Sequence, residues 1–160
     1  MKNYKQQGFT LIELIIVIVI LGILAVTAAP RFIDVGTDAR VNVLASIKGS
    51  VETGTKLAHA KCLLVAGCSN SVAQSPKIEG PNNTLGGLYF GYPTGFSRPG
   101  DMFGISDWVE IADGVTYTNS SGARGKFTID NAPDPENCAV QYVEAAMNSR
   151  PSATIIDSGC

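Results

Sequence analysis

Hydrophobic positions along this chain change pattern twice. From Phe9 to Ala29 they are continuous over twenty-one residues, with Glu13 the only charge among them. As a helix such a run measures roughly 32 Å at about 1.5 Å per residue, one bilayer crossing. Beyond Pro30 the run becomes a stripe: Val41, Leu44, Ile47, Val51, Ala58 and Cys62 recur at three, four or seven residues, and Thr55 fills the gap. That period predicts an amphipathic helix continuing the first, with Arg40, Lys48, Glu52, Lys56 and Lys61 on the opposite, solvated face. Gly36, Gly49 and Gly54 make it a poor helix in isolation, so a globular partner must stabilise it. The helix is expected over 9–62, with 9–29 as its membrane half.

From about Leu63 glycine, proline, asparagine and serine take over. The stretch 66–87 reads as a long loop, with turn signals at Ser75-Pro76, Gly80-Pro81 and Asn82-Asn83. Short strands are predicted at 87–92, 108–112, 115–118, 126–129, 139–144 and 154–156, separated by glycine or proline clusters. The expected class is α+β: a long N-terminal helix whose second half packs on a small antiparallel sheet, in a head of residues 63–160.

Lys2 and Lys5 precede the apolar run and no acidic residue occurs among the first eight, so the N-terminus is expected to stay cytoplasmic and the rest to face outward. A secretory signal peptide has a shorter apolar region, and a carboxylate inside one is out of place. Near mid-bilayer an acidic side chain costs about 2.5–3.5 kcal/mol, less toward an end, and it normally has a partner. Were the chain cut after Gly8, the new amine of Phe9 would lie one helical turn from Glu13 on the same face. That amine is the natural counter-charge.

These residues carry a family resemblance. Gly8-Phe9-Thr10-Leu11-Ile12-Glu13-Leu14, after a short basic leader and before a long apolar helix, resembles the class III signal of type IV pilins and type II secretion pseudopilins. The resemblance implies that a prepilin peptidase removes residues 1–8 by cleaving after Gly8 and methylates Phe9, while the apolar helix stays on the mature chain. It implies that Glu13 pairs with the Phe9 amine of a neighbouring subunit and so sets axial register. It also implies that Gly22 and Pro30 bracket a stretch that unwinds in assembled filaments; glycine weakens a helix interior by about 1 kcal/mol, and proline removes a hydrogen bond.

Removing the leader leaves 10 basic and 14 acidic side chains, a net charge of −4. No concentrated basic run remains, so no nucleic-acid partner is expected. Cys62, Cys68, Cys138 and Cys160 allow three disulfide connectivities in an exported chain. The favoured one joins Cys62 to Cys68 at the helix end and Cys138 to Cys160 across a C-terminal region, 138–160, that resembles the disulfide-bounded region of type IV pilins. Their spacings match no common zinc pattern and His59 is the single histidine, so no metal, cofactor or enzymatic activity is expected. The oxygen-rich loop 130–137 reads as a solvated loop before it reads as a calcium site, lacking the glycine pattern of an EF-hand.

Ala28-Ala29-Pro30-Arg31-Phe32, Gly91-Tyr92-Pro93, Asp107-Trp108 and Ser158-Gly159-Cys160 are similar to pilins of the mannose-sensitive haemagglutinin type. The resemblance implies a major subunit held in the inner membrane as a precursor and then polymerised with identical subunits by the pilus assembly machinery. The product would be a retractable surface filament for attachment and biofilm formation, with a receptor the sequence does not name. The alternatives are a type II secretion pseudopilin in a periplasmic pseudopilus, and a minor pilin or tip adhesin. Replacing Gly8 by a bulky residue, as in Gly8→Phe, should leave the precursor uncut; mass spectrometry finding a normal mature chain would contradict the leader assignment.

Overall fold

A computed structural model describes residues 9–160 except 72, 74, 76, 81–84, 97–102 and 121–123, and gives no side-chain description for 28–34 or Ser120. One helix, α1, runs Leu11–Leu63 without a break at Gly22 or Pro30. The chain divides into two compact units between Asp38 and Ala39.

In the first unit the large apolar side chains from Phe9 to Val26 are all exposed, by 47% or more. Among the described residues no helix is long and apolar enough to cross a membrane. The described side chains of the apolar run stop at Thr27, so 28–29 of the expected crossing lie outside them.

In the second unit the stripe behaves as its period requires. Leu44, Val51, Thr55, Ala58 and Cys62 are buried, and Val41 and Ile47 are half-buried. Val41, Leu44, Ile47 and Val51 face an antiparallel sheet of four strands in the order β3-β4-β5-β6: β3 is Val115–Ser120, β4 Arg124–Ile129, β5 Ala139–Val143 and β6 Ser152–Ile156. The register places Val115 opposite Ile129, Arg124 opposite Val143 and Ala139 opposite Ile156. Because side chains alternate along a strand, Phe127 and Ile129 turn inward while Arg124 turns out. Leu44, Val51, Ile105, Phe127, Val140 and Tyr142 make one core. Ala58, Cys62, Ile78, Leu88, Phe103 and Trp108 make a second beside it. The fold is the expected α+β arrangement of a long N-terminal helix and a small antiparallel sheet, with β3 and β6 left as edges.

Three expected elements differ. Residues 87–92 do not form a strand: Tyr89 and Tyr92 exchange backbone hydrogen bonds of 2.7 and 3.0 Å around Phe90 and Gly91, both at positive φ, 49° and 78°. Two left-handed residues make a tight hairpin turn, and an aromatic there is uncommon. Alternation alone could not reveal it. Residues 108–112 form no strand either; Trp108 ends a 3₁₀ turn, Ile105–Trp108, held by the bond from Gly104 N to Asp107 Oδ2 at 2.8 Å. The loop 66–87 contains a two-stranded ribbon, β1 (Ile78–Glu79) and β2 (Leu85–Gly86).

The glycines of α1 differ in what surrounds them. A Cβ on Gly49 would meet nothing within 4 Å, whereas one on Gly54 would sit 2.5 Å from the Trp108 carbonyl oxygen. Gly54 therefore permits the close approach of the 3₁₀ turn to the helix. Gly49→Ala should raise stability by up to about 1 kcal/mol through helix propensity, while Gly54→Ala should lower it by about 1–3 kcal/mol through overpacking. Denaturant unfolding of the detergent-solubilised chain checks the opposite signs; equal effects would contradict this packing.

Candidate functional site

The N-terminal motif is built at the first turn of α1. Thr10 precedes the helix, and Glu13 Oε2 accepts bonds from Thr10 N at 2.9 Å and Thr10 Oγ1 at 2.7 Å. Glu13 N in turn donates to Thr10 Oγ1 at 3.4 Å. This is a capping box, in which two residues satisfy each other's unpaired groups at a helix start. In the single chain the carboxylate is thus served by Thr10, a partner that sequence reasoning missed although threonine followed three residues later by glutamate is its signal. Oε1 has no hydrogen-bond partner among the described residues and is open to an external donor. Phe9 lies just before the helix, 90% exposed. Gly8 lies outside the described residues. Gly22 sits within unbroken helix with nothing near its Cα hydrogens, and Pro30 lies in helix with its side chain undescribed.

The head is clipped at two places. Cys62 pairs with Cys68, Cα atoms 5.5 Å apart, where the helix gives way to the turn at Gly67. Cys138 pairs with Cys160, Cα atoms 4.8 Å apart. Arg40 Nη1 donates to Cys160 O at 2.8 Å, so a residue expected on the solvated face of α1 instead holds the C-terminal segment. Lys61 departs from that expectation too, donating to Glu79 O and lying 5.7 Å from the Trp108 ring centroid. Loop 130–137 is fastened by Asp134 N to Gly159 O at 3.1 Å and Asn137 Nδ2 to Asp134 Oδ2 at 2.6 Å. Among the described residues no group of three acids, histidines or cysteines is placed to hold a metal ion.

A cleft of about 570 Å³ opens between the second half of α1 and the start of β6, lined by Thr55, Lys56, His59, Tyr92, Tyr142 and Arg150 among others. His59 stacks on Tyr92 with ring centroids 4.2 Å apart. Its Nδ1 lies 3.0 Å from Gly91 O, and a carbonyl can only accept, so Nδ1 is the protonated nitrogen. The histidine is thereby a packing residue beneath the hairpin turn.

Behind the cleft, Tyr142 donates to Pro93 O at 2.8 Å and Tyr117 donates to Gly95 O, while Gly95 N donates to Glu144 Oε2 at 3.0 Å. The segment 93–95 is pinned from three sides.

Comparison with known proteins fits the N-terminal geometry. Residues 3–29 match the family described as the prokaryotic N-terminal methylation motif. The chain is 42% identical over 91 residues to the fimbrial protein EcpB of Eikenella corrodens, covering 51% of this chain and 57% of that one. It is 60% identical over 35 residues to the type IV narrow pilus major component PilA5 of Thermus thermophilus, 22% of this chain and 30% of that one. To the type IV major pilin protein PilE1 of Neisseria gonorrhoeae it is 47% identical over 62 residues, 37% of this chain and 38% of that one. The chain thus spans little more than half, or less, of the curated relatives it matches. No solved structure matches. A methylation motif at the N-terminus, pilin relatives and a pilin-like α+β fold together define the class of protein to which this chain is similar.

Burial, followed by the charges of Asp107 and Glu144, pushes the Tyr117 hydroxyl up to about 12, and burial raises Tyr142 further. Both are neutral acids favoured by the fold, so the stability they contribute is intact below about pH 10, the unfolded value, and is lost as pH rises through the folded value. An absorbance titration of the five tyrosines should leave two protonated beyond pH 11 in the folded chain. Titration of all five near pH 10 without unfolding would contradict their burial.

Proposed function

We propose that this chain is a type IV pilin, a structural subunit that polymerises with identical copies into a surface filament. The observation that carries the reading is an exposed apolar helix start whose one charge, Glu13, is presented beside Phe9 at a methylation motif. An apolar rod left exposed among the described residues calls for lipid or other copies around it. In a precursor that cover is the inner membrane, with the leader cytoplasmic and the head outside. In a filament it is the helices of other subunits.

Cleavage after Gly8 by a prepilin peptidase gives Phe9 an amine. Within a low-dielectric filament core, an ion pair between that amine on one subunit and Glu13 on another fixes axial register, because an unpaired carboxylate there is costly. The chain supplies no chemistry of its own in this reading and is not an enzyme. Gly91-Tyr92-Pro93, Asp107-Trp108 and Ser158-Gly159-Cys160 support the mannose-sensitive haemagglutinin type, a retractable pilus for attachment and biofilm formation.

Filaments sheared from cells should consist mainly of a chain beginning at N-methylated Phe9. Confinement of the processed chain to the envelope would move the assignment to a pseudopilin. Glu13→Ala should be inserted and processed yet reduce filament yield by about tenfold or more, the loss of one buried charge pair; normal yield, counted by electron microscopy, would sink the role of Glu13.

A further inference from the structure

The two ends of the head carry opposite charge. One end is where α1 enters at Arg40, and the contact of Arg40 with Cys160, the Cys138–Cys160 disulfide and the bond from Asp134 N to Gly159 O place loop 130–137 there. Strand register agrees, since Ile129, Ala139 and Ile156 all meet at that end. It presents Asp113, Asp130, Asp134, Glu136 and Asp157, all exposed. Only Glu136 has an ion-pair partner among the described residues, Lys126 at 2.8 Å.

The other end holds the cleft. Register again places it, because Arg124, Val143 and Ser152 lie together and Ser152 lines the cleft. The side chains of Lys56, Arg124 and Arg150 are exposed there with no hydrogen bond or ion pair among the described residues. Glu52, the acid lining the cleft, points to Lys48 at 3.8 Å. Sixteen residues of helix separate Arg40 from Lys56, about 24 Å at the helical rise.

We propose that the Lys56–Arg150 cleft of one head receives the acidic loop 130–137 of a second copy, so that heads stack end to end along the filament. This rests on the pilin reading and names the partner surface of the head. Socket and plug lie on different surfaces of the same molecule, so the contact is heterologous. Such a contact never satisfies itself in a dimer and generates an open helical polymer when its rotation does not close into a ring. A turn-rich loop entering a cleft with an apolar floor and two unpaired cations at its rim gains electrostatic complementarity, which fixes orientation and suppresses side-by-side mispairing.

Intact filaments treated with a zero-length carbodiimide should yield peptides linking Lys56 to Asp130, Asp134 or Glu136. Across about 24 Å such a link cannot form within one head, so it reports on neighbouring copies. Lys56→Glu with Arg150→Glu should cut filament yield about fivefold or more while leaving insertion, processing and both disulfides intact. Adding Asp130→Lys and Asp134→Lys to that variant should restore at least half the yield. Normal filaments from the doubly reversed variant, no rescue by the loop reversals, or links from Lys56 only to other surfaces would overturn the proposal and leave the pilin reading standing. Absence of this chain from wild-type filaments would instead overturn the pilin reading.

Discussion

The rest of the structure depends on how the apolar surface of α1 is covered. Hydrophobic burial is worth about 25 cal/mol per Å², so a helix 53 residues long cannot leave its apolar positions in water. The two units meet this demand differently. Within the second, Leu44, Val51, Ala58 and Cys62 are covered by the sheet and by the second core under β1 and β2. Within the first, Leu11, Ile18 and Val26 remain more than half exposed among the described residues. A chain whose apolar surface is covered in one part and exposed in another fits the proposed reading as a subunit of a larger structure.

That division governs where polar groups lie. In the first unit Glu13 is the only described charge before the boundary region, and the capping box gives it work at the helix start without neutralising it. A carboxylate held in place by Thr10 is pre-oriented, so less ordering entropy is lost when an external donor arrives. In the second unit polar groups are spent inward on architecture. Tyr117, Tyr142 and Glu144 pin the segment 93–95, and Arg40 fastens Cys160. Hydroxyls matched to backbone carbonyls fix the segment that follows Tyr92, a residue of the cleft lining.

Much of this fold was legible in the sequence, for reasons that differ by element. The stripe from Val41 to Cys62 has a period only a helix can satisfy, and the structure buries that stripe. Strands β3 to β6 alternate over enough residues to be seen, though their ends moved by a few positions. Residues 87–92 misled because Tyr89 and Tyr92 are β-formers on either side of a glycine, while the left-handed geometry of Phe90, whose ring meets Tyr89 edge-on, has no sequence signal. Residues 108–112 misled because Trp108 is anchored by tertiary contacts with Gly54 and Phe103, not by a ladder. The site divides in the same way. The Gly8, Phe9 and Glu13 spacing is local and readable, whereas the bond between Arg40 and Cys160 joins residues 120 apart and has no signature in either neighbourhood.

The charge polarity of the head shows why net charge alone is a poor guide to assembly. An excess of acidic groups predicts mutual repulsion between copies, which opposes packing at low ionic strength. Strand direction distributes those groups unevenly: β4 and β5 are joined by the acidic loop at one end, and the turn before β6 places Arg150 at the other. Antiparallel topology puts every second connection at the same end of the sheet, so the composition of a few loops decides the sign of each face. In the proposed filament the apolar stretch of α1 offers only Glu13 as a charge to set register, and apolar burial itself is non-directional, so further orientation of one copy against the next would come from the head. In the proposed filament, helix burial would supply most of the association energy, and the few charges at the ends of the sheet would select which surfaces meet.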